Sequence, residues 1–465
     1  MTRIALIVCF SLIAVQAQEP LVAIVDVTVV PMDRERFVEH QTVVVRNGRI
    51  AAVGLSQSVR IPGNAQRVDG RGKFLMPGLT DMHVHFIREA LPDSPPTLGS
   101  SIGLRQPGIP ASASKDHDVE NRAYALMFLA NGVTTVRNMW GSPTIDELAT
   151  TINSGRLAGP HIYSTGPITD GNPPAWQSSR IVETAAQAED AVRSDKQKGY
   201  AGIKVYSRLS KDAYDAIVVA ARRQRLPVVG HVPLSVGLAG AIAAGQDSIE
   251  HLSGFFQSLA PNARSLPEFL QQADWTKLPA IVHAIKAADV WTCPTTVVDD
   301  DPRTDPVGLE YRSFVPPDVF VRYERMYPNR PDRDLRTAAQ ARALSLRIVT
   351  ALHNGGAHLL LGTDTMKIGT LPGYSLHTEL ENFVAAGITP YDAIRAGTAD
   401  AAKFLKQDDE FGFVRAGLRA DLVLVEANPL ANVTNASKIV GVMAGGRWLT
   451  AADLHQELVA LRGSR

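Results

Sequence analysis

Cysteine is almost absent from this chain, and its scarcity limits how the fold can be stabilised. Only two of the 465 residues are cysteines. Cys9 lies in an N-terminal segment that we expect to be removed, so the mature chain would keep Cys293 alone. A single cysteine forms no internal disulfide, and the fold must therefore be held together by its hydrophobic core.

Net charge and long apolar runs are also missing. The 47 basic and 47 acidic side chains cancel, which argues against nucleic acid or an anionic membrane as the main partner. The apolar run from Ile4 to Val15 falls short of the roughly 20 residues that span a bilayer. Arg3 precedes this run and Ala17 follows it, as in a secretory signal peptide. We therefore predict a signal peptide over residues 1–17 and a periplasmic or secreted mature chain without membrane attachment.

Strand signals occur at both ends of the mature chain. The β-branched, apolar runs are residues 21–30, 41–46, 49–53, 421–425 and 439–443. Asn47-Gly48 separates two of them and is a strong hairpin signal, because both residues tolerate positive φ. We predict that residues 20–73 and 408–460 form one small, discontinuous β-sandwich domain.

Between these ends, short apolar runs alternate with helical stretches. The eight runs are residues 74–85, 132–139, 161–165, 201–206, 227–232, 247–252, 290–295 and 358–364. This alternation predicts the α/β class, and eight strands predict a (β/α)8 barrel of the TIM type over residues 74–407. Long connections follow the first, third and seventh strands, at residues 86–117, 166–179 and 296–334. Each connection begins at the C-terminal end of a strand, which is where the active sites of barrel enzymes lie. We therefore expect at least one of the three connections to cover a substrate.

Six polar residues lie near the C-terminal ends of five predicted strands. They are His83, His85, Lys204, His231, His251 and Asp364. Each alone has an ordinary structural explanation, such as a core histidine or a helix cap, but all six would share one rim of the barrel. His83 and His85 are two positions apart on a strand and therefore point to the same face. The set predicts a metal site, with Asp364 also available as a proton acceptor.

Lys204 is the unusual member of this set. An ammonium group cannot ligate a metal and is repelled by one. Reaction of the lysine amine with CO2 would give a carbamate (N6-carboxylated Lys204), an anion whose two oxygens can bridge two cations. Four histidines, one carbamate and one carboxylate suit two divalent metal ions, with Zn²⁺ favoured and Mn²⁺, Co²⁺ or Ni²⁺ compatible.

These residues carry a resemblance to a known family. The matching segments are Pro-Gly-Leu-Thr-Asp-Met-His-Val-His at 77–85, Ile-Lys-Val-Tyr at 203–206, Gly-His-Val at 230–232, Ile-Glu-His-Leu at 249–252 and Gly-Thr-Asp at 362–364. The sequence resembles the amidohydrolase superfamily over nearly the whole mature chain. Within it, the chain is similar to the imidazolonepropionase-related group that includes Xaa-Pro and Xaa-Arg dipeptidases and ochratoxin amidase.

The resemblance implies roles for the six residues. His83, His85, Lys204 and Asp364 would surround one metal, and Lys204, His231 and His251 the other. It further implies that metal-bound hydroxide attacks an amide or peptide carbonyl while Asp364 shuttles the proton to the leaving amine. The expected partner is therefore a small molecule, such as a dipeptide or an N-acyl amino acid. The sequence carries no signal for or against a homo-oligomer.

Several alternatives and weaker assignments stay open. A lactonase or organophosphate hydrolase would use the same metal ligands, whereas a deaminase or cyclic-imide hydrolase fits Lys204 less well. A non-catalytic barrel would be expected to lose ligands, and here all six positions are filled. Tyr206 is predicted to contact substrate or to be a packed aromatic, and His377 is a weaker substrate candidate. The resemblance suggests an acidic residue at the position of Asn138, so its amide is a departure from the group.

Overall fold

The computed structural model describes residues 21–86, 117–299, 306–315, 317, 335–365 and 370–463. The predicted signal peptide lies outside these residues, as do most of the connection after the first predicted strand and much of that after the seventh. None of the described helices combines the length and apolar character needed to cross a membrane.

One sheet of eight strands draws its members from both ends of the chain. The strands are β1 (Leu21–Val29), β2 (Val38–Arg46), β3 (Arg49–Leu55), β4 (Gln66–Asp69), β5 (Phe74–Pro77), β16 (Leu422–Val425), β17 (Ile439–Ala444) and β18 (Arg447–Thr450). Their order is β18-β17-β16-β5-β1-β2-β3, with β4 beside β1. At the predicted hairpin between β2 and β3, Asn47 and Gly48 have φ of 52° and 73°. The hairpin prediction is confirmed.

Strands from both ends of the chain, which the sequence predicted to form one discontinuous domain, share one hydrogen-bonded sheet. Strand β1 pairs with β4 through residues 22–25 and with β5 through Thr28 and Val29. Between these segments Asp26 has a φ of 56°, and the register with β2 shifts between Ile24 and Val27. Such a bulge bends a strand and lets it pair with two successive partners, so the sheet stays continuous.

The remaining strands pair in parallel with one another. They are β6 (Leu79–Val84), β7 (Val133–Asn138), β8 (His161–Ser164), β9 (Thr169–Asp170), β10 (Arg180–Ile181), β11 (Ile203–Val205), β12 (Val228–Gly230), β13 (Ser248–Glu250), β14 (Trp291–Cys293) and β15 (His358–Leu359). One group has the order β6-β7-β8 and the other β10-β9-β11-β12-β13-β14-β15. Every one of the eight predicted runs contains an observed strand, and the predicted α/β class is confirmed.

The first predicted run is divided between the two kinds of sheet. Strand β5 belongs to the terminal sheet and β6 to the parallel strands, with Gly78 between them. A Cβ atom at Gly78 would lie 1.9 Å from Thr134 Oγ1. The chain changes sheets where only glycine allows this close approach.

Backbone hydrogen bonds join the two groups of parallel strands at both junctions. The amide of Ala201 donates to the Ser164 carbonyl over 2.7 Å, which places β8 beside the start of β11. The Asp364 amide donates to the His83 carbonyl over 2.8 Å, which places the segment after β15 beside β6. The end of β6, which carries His83 and His85, therefore lies beside the segment that carries Asp364.

Helices connect the strands and cover them. Their bounds are α1 (His117–Ala130), α2 (Pro143–Asn153), α3 (Ala185–Gln197), α4 (Lys211–Gln224), α5 (Gly237–Ala244), α6 (Phe255–Leu259), α7 (Leu266–Gln272), α8 (Leu278–Ala287), α9 (Pro306–Arg312), α10 (Leu335–Asn354), α11 (Tyr374–Ala385), α12 (Pro390–Ala396), α13 (Ala399–Phe404) and α14 (Ala451–Gly463). Side-chain caps start several of them: Ser142 accepts from the Ile145 amide, and Thr184 and Gln187 form a capping box. The largest apolar core lies between these helices and the strands.

Candidate metal centre

Two histidines of β6 and its end meet the carboxylate of Asp364. Asp364 Oδ1 lies 3.1 Å from His85 Nε2 and 3.5 Å from His83 Nε2. Metal–ligand bonds of about 2.0–2.2 Å at a tetrahedral angle separate ligand atoms by roughly 3.3–3.6 Å. The two separations, 3.1 and 3.5 Å, are close to those of ligand atoms that share a cation.

The other carboxylate oxygen faces His251, and His231 lies beside His251. Asp364 Oδ2 lies 3.9 Å from His251 Nδ1. The His251 ring is 4.3 Å from the His83 ring and 5.0 Å from the His231 ring, centroid to centroid. Ligand atoms of His83, His251 and Asp364 all lie within 4.8 Å of one another.

Lys204 completes the cluster from strand β11. Its Nζ lies 3.5 Å from His83 Nε2, and its side chain is buried. Burial lowers the pKa of Lys204 to about 8, although the negative charges of Glu250 and Asp364 act in the opposite direction. A lowered pKa favours the neutral amine, which is the form that reacts with CO2. The structure thus brings together all six residues that the sequence predicted as ligands.

Hydrogen bonds to Nδ1 orient three of the histidine rings. His83 Nδ1 lies 2.8 Å from Glu250 Oε2, and because a carboxylate only accepts, Nδ1 carries the proton. His251 Nδ1 lies 2.8 Å from Thr295 Oγ1, and His231 Nδ1 lies 3.1 Å from Ser207 Oγ. Nε2 is then the nitrogen that each ring would offer to a cation.

Glu250 is itself held by a buried cation. Arg137 Nη2 donates to Glu250 Oε1 over 2.8 Å, and Arg137 Nε donates to the Met82 carbonyl over 2.7 Å. Both side chains of this ion pair are at most 1% exposed. Sequence reasoning missed this pair, although a charged residue inside the buried run Val133–Asn138 was an available signal.

A second buried carboxylate fixes the backbone between the first and last ligand strands. Asp81 accepts from the amides of His83 and Thr363, over 3.1 and 3.0 Å, and from Thr363 Oγ1 over 2.6 Å. Burial raises the pKa of Asp81 to about 7, and these hydrogen bonds only partly oppose it. Asp81 thereby keeps His83 and Asp364 in register, a role that the sequence reasoning did not assign.

Three residues beside the centre adopt the left-handed backbone conformation. The φ values are 59° for His251, 51° for Thr295 and 57° for Asp364. Non-glycine residues in this region cost about 1–3 kcal/mol each and concentrate at functional sites. Two of the three are predicted ligands, so the backbone strain lies where the side chains must converge.

The two predicted substrate contacts differ in position. The Tyr206 ring stacks on the His231 ring with centroids 4.0 Å apart, which places it beside the cluster. His377 instead lies on the buried face of α11, where its Nε2 is 3.0 Å from the Asn131 carbonyl just before β7 begins. Burial lowers the pKa of His377 to about 4. The structure does not bring His377 to the centre, because its ring packs against backbone at the opposite end of β7.

Asn138 uses its amide in a way that a carboxylate could not. Its Nδ2 donates to the Trp140 carbonyl over 2.8 Å and to Ser164 Oγ over 3.0 Å. Its Oδ1 accepts from the Phe86 amide over 3.1 Å. Asn138 therefore ties together the ends of β6, β7 and β8, and an acidic residue would lose both donated bonds.

Glu250→Gln is expected to weaken metal binding about 10- to 100-fold while the fold is retained. Each carboxylate oxygen of Glu250 accepts one hydrogen bond, from His83 Nδ1 or from Arg137 Nη2. Glutamine has one oxygen only, so its NH2 group would face one of these two donors. The dissociation constant measured by competition with a chelator tests this. Asp195→Asn is the matched control, because Asp195 also forms a buried pair, with Arg180, and is not itself a predicted ligand. Equal metal affinities in the two variants would show that Glu250 does not orient the His83 ring.

The chain is similar to known proteins in sequence and in fold. The model of the amidohydrolase family matches residues 74–449. The ochratoxinase of Aspergillus niger is 23% identical over 401 residues, covering 77% of this chain and 71% of that protein. Among solved structures, a bottromycin amidohydrolase is 24% identical with a TM-score of 0.70, covering 96% of this chain and 90% of its own. A Xaa-Pro dipeptidase crystallised with methionine in its active site is 21% identical with a TM-score of 0.66, covering 92% and 100%.

The family model spans most of the chain and includes all six clustered residues, from His83 to Asp364. The likeness to these two solved structures covers 92% and 96% of this chain. The chain is therefore a hydrolase that belongs to the amidohydrolase family.

Proposed function

We propose that this protein hydrolyses the amide or peptide C–N bond of a small substrate, such as a dipeptide or an N-acyl amino acid, with two divalent metal ions. The observation that carries the proposal is the convergence of Lys204 with His83 and Asp364. A buried lysine among histidines and a carboxylate is explained if its amine is carboxylated. The names of the similar proteins, an ochratoxinase, a bottromycin amidohydrolase and a Xaa-Pro dipeptidase, support an amide as the target.

The donor set fits two cations rather than one. Four imidazoles, the Asp364 carboxylate and a carbamate on Lys204 provide six ligand groups, and the mixture of nitrogen and oxygen suits Zn²⁺. His83, His85, Lys204 and Asp364 would hold one ion. Lys204, His231 and His251 would hold the other. When bound, the ions would supply Lewis acidity, which lowers the pKa of a water molecule and polarises a carbonyl group.

A closed barrel is part of the same proposal. The hydrogen bonds from Ala201 to Ser164 and from Asp364 to His83 support closure, because they join the two groups of parallel strands at both junctions. Closure places the ends of β6, β11, β12, β13 and β15 around one opening. Ligands from five strands can then surround a single centre.

Asp364 is assigned the proton transfer. Its Oδ1 lies close to His85, while its Oδ2 faces His251, so the carboxylate stands between the two ligand groups. In hydrolysis the oxygen of water adds to the carbonyl carbon, and the C–N bond then breaks. Asp364 would accept the proton that water loses and deliver it to the departing nitrogen.

The purified protein, reconstituted with Zn²⁺, Mn²⁺ or Co²⁺ in bicarbonate buffer, should cleave amides with a kcat/KM of about 10⁴ M⁻¹ s⁻¹ or more for its preferred substrate. Initial rates would be measured on Xaa-Pro and other dipeptides, N-acyl amino acids, a lactone and a phosphotriester. The same preparation stripped with a chelator is the control. Turnover of the lactone or phosphotriester without any amide would show that the amidase proposal is wrong.

A further inference from the structure

Three aromatic side chains form a continuous surface beside the metal centre, which we call the aromatic wall: Trp140, Trp176 and Tyr206. The rings of Trp140 and Trp176 lie 5.5 Å apart at an angle of 55°. Trp176 Nε1 donates a hydrogen bond to the Tyr206 hydroxyl over 2.9 Å. The wall is thus one packed unit, with Ile168 and Ala175 behind it.

The aromatic wall touches the predicted ligands on both sides of the centre. Trp140 meets the His85 ring edge to face, with centroids 6.0 Å apart. Tyr206 stacks on His231 at 4.0 Å. Strands β7, β8 and β14 provide no predicted ligand. Trp140 follows β7, and the loop with Trp176 follows β9, the short strand after β8. The wall therefore lies on a part of the rim that carries few of the predicted ligands.

The loop that carries Trp176 is held firmly in place. The buried carboxylate of Asp170 accepts from the amides of Gly171, Ala175 and Arg208, over 3.0, 2.8 and 2.7 Å. Arg208 Nη1 in turn donates to the Pro173 carbonyl over 3.0 Å. Because these bonds fix the loop before any substrate arrives, little conformational entropy would be lost when a ligand packs against Trp176.

We propose that the aromatic wall is the subsite for a planar aromatic group of the substrate, an inference that rests on the proposed amidase function. Trp140 and Tyr206 are each 8% exposed, whereas Trp176 is half-buried and offers the most open aromatic surface of the three. The indole N–H of Trp176 already donates to the Tyr206 hydroxyl, so a ring that packs on Trp176 does not deprive that N–H of a partner. A flat ring can stack there at little desolvation cost. A cationic group would also be drawn to aromatic faces, but the two metal ions would repel it.

The test compares three substrates that differ in one group: N-acetylalanine, N-acetylphenylalanine and N-benzoylalanine. The two aromatic compounds place the ring on opposite sides of the scissile bond. Wild-type protein should prefer one of them over N-acetylalanine by about 10- to 100-fold in kcat/KM, from the burial and stacking of one ring. In Trp176→Ala the ratio of aromatic to aliphatic kcat/KM should fall at least tenfold, mainly because KM for the aromatic substrate rises. Trp176→Phe should keep most of the wild-type ratio.

The matched control is Trp275→Ala, which truncates a half-buried tryptophan that packs on Phe269 and Arg347, outside the wall. It should leave the substrate preference unchanged. An unaltered ratio of aromatic to aliphatic kcat/KM in Trp176→Ala would overturn the proposal. A preference for N-acetyllysine over both aromatic compounds would overturn it as well.

Equilibrium binding separates this inference from the proposed function. Dissociation constants of N-benzoylalanine, N-acetylphenylalanine and N-acetylalanine would be measured by calorimetry with the metal-loaded wild type and with Trp176→Ala. If the wild type cleaves no amide, the proposed function fails, yet a preference for a ring that disappears in Trp176→Ala still supports the subsite. Equal binding ratios in both proteins refute the subsite even when amides are cleaved.

Discussion

Lys204→Ala is expected to lose both metal ions and nearly all activity, with a fall in kcat/KM of about 1,000-fold or more. Lys204 Nζ lies 3.5 Å from His83 Nε2 in a buried setting. An unmodified ammonium group at this position would repel a metal cation electrostatically. The neutral amine would attack CO2, a new C–N bond would form and one proton would leave, so that a neutral group becomes an anion with two oxygens. Alanine removes the only ligand assigned to both ions.

Metal content measured by atomic emission, with and without bicarbonate during reconstitution, checks this expectation. Carbon-13 NMR of protein loaded in labelled bicarbonate should show a carbamate signal in the wild type that Lys204→Ala lacks. Lys204→Met controls for lost volume, and Lys211→Ala, which removes an exposed lysine paired with Asp215, controls for lost charge. Two metal ions per chain and full activity in Lys204→Ala would exclude the carbamate.

That the six predicted ligands lie near one another was predictable because local rules determine where they stand on their strands. Alternation along a strand puts His83 and His85 on one face, and parallel strands end at one rim. The sequence therefore placed residues as distant as His85 and Asp364 at the same edge, and they meet at 3.1 Å. No tertiary contact had to be known beforehand.

The groups that orient the ligands were not predictable in the same way. Arg137 and Glu250 are separated by 113 positions and meet only because β7 and β13 face each other across the interior. The role of Asp81 could not be predicted for the same reason, since its partner Thr363 follows the last strand. Hydrogen bonds of this kind depend on which side chains meet inside the fold, and strand periodicity alone does not encode that.

The pairing of the terminal strands and the position of His377 do not follow from the local sequence pattern alone. A run of strands predicts a sheet, but the bulge at Asp26 decides whether β1 joins one partner or two. His377 was considered because it follows the last strand in sequence. Its helix turns that face into the core, so the ring meets the Asn131 carbonyl instead of the metal centre. The direction in which a helical side chain points depends on how its helix packs, and the local sequence pattern does not determine it.

Asp364→Asn is expected to keep most of the bound metal and to lose about 100- to 10,000-fold in kcat, because it removes the proton acceptor. The amide oxygen of asparagine can still act as a ligand near His85 and His83. It is far too weak a base to take a proton from water and return it to the leaving amine. The acidic limb of the pH–rate profile, if Asp364 is responsible for it, should also disappear.

Metal analysis and steady-state kinetics of the same preparation separate these two effects of Asp364→Asn. Asp247→Asn is the matched control, because the Asp247 carboxylate accepts from the Val228 amide over 2.8 Å at the far end of the neighbouring strands, away from the predicted ligands. It should lower stability without a comparable loss of kcat. A kcat of Asp364→Asn within about fivefold of the wild type, far less than the loss that removing a general acid–base group causes, would assign the proton transfer to another group. Loss of metal in parallel with kcat would instead show that Asp364 acts as a ligand alone.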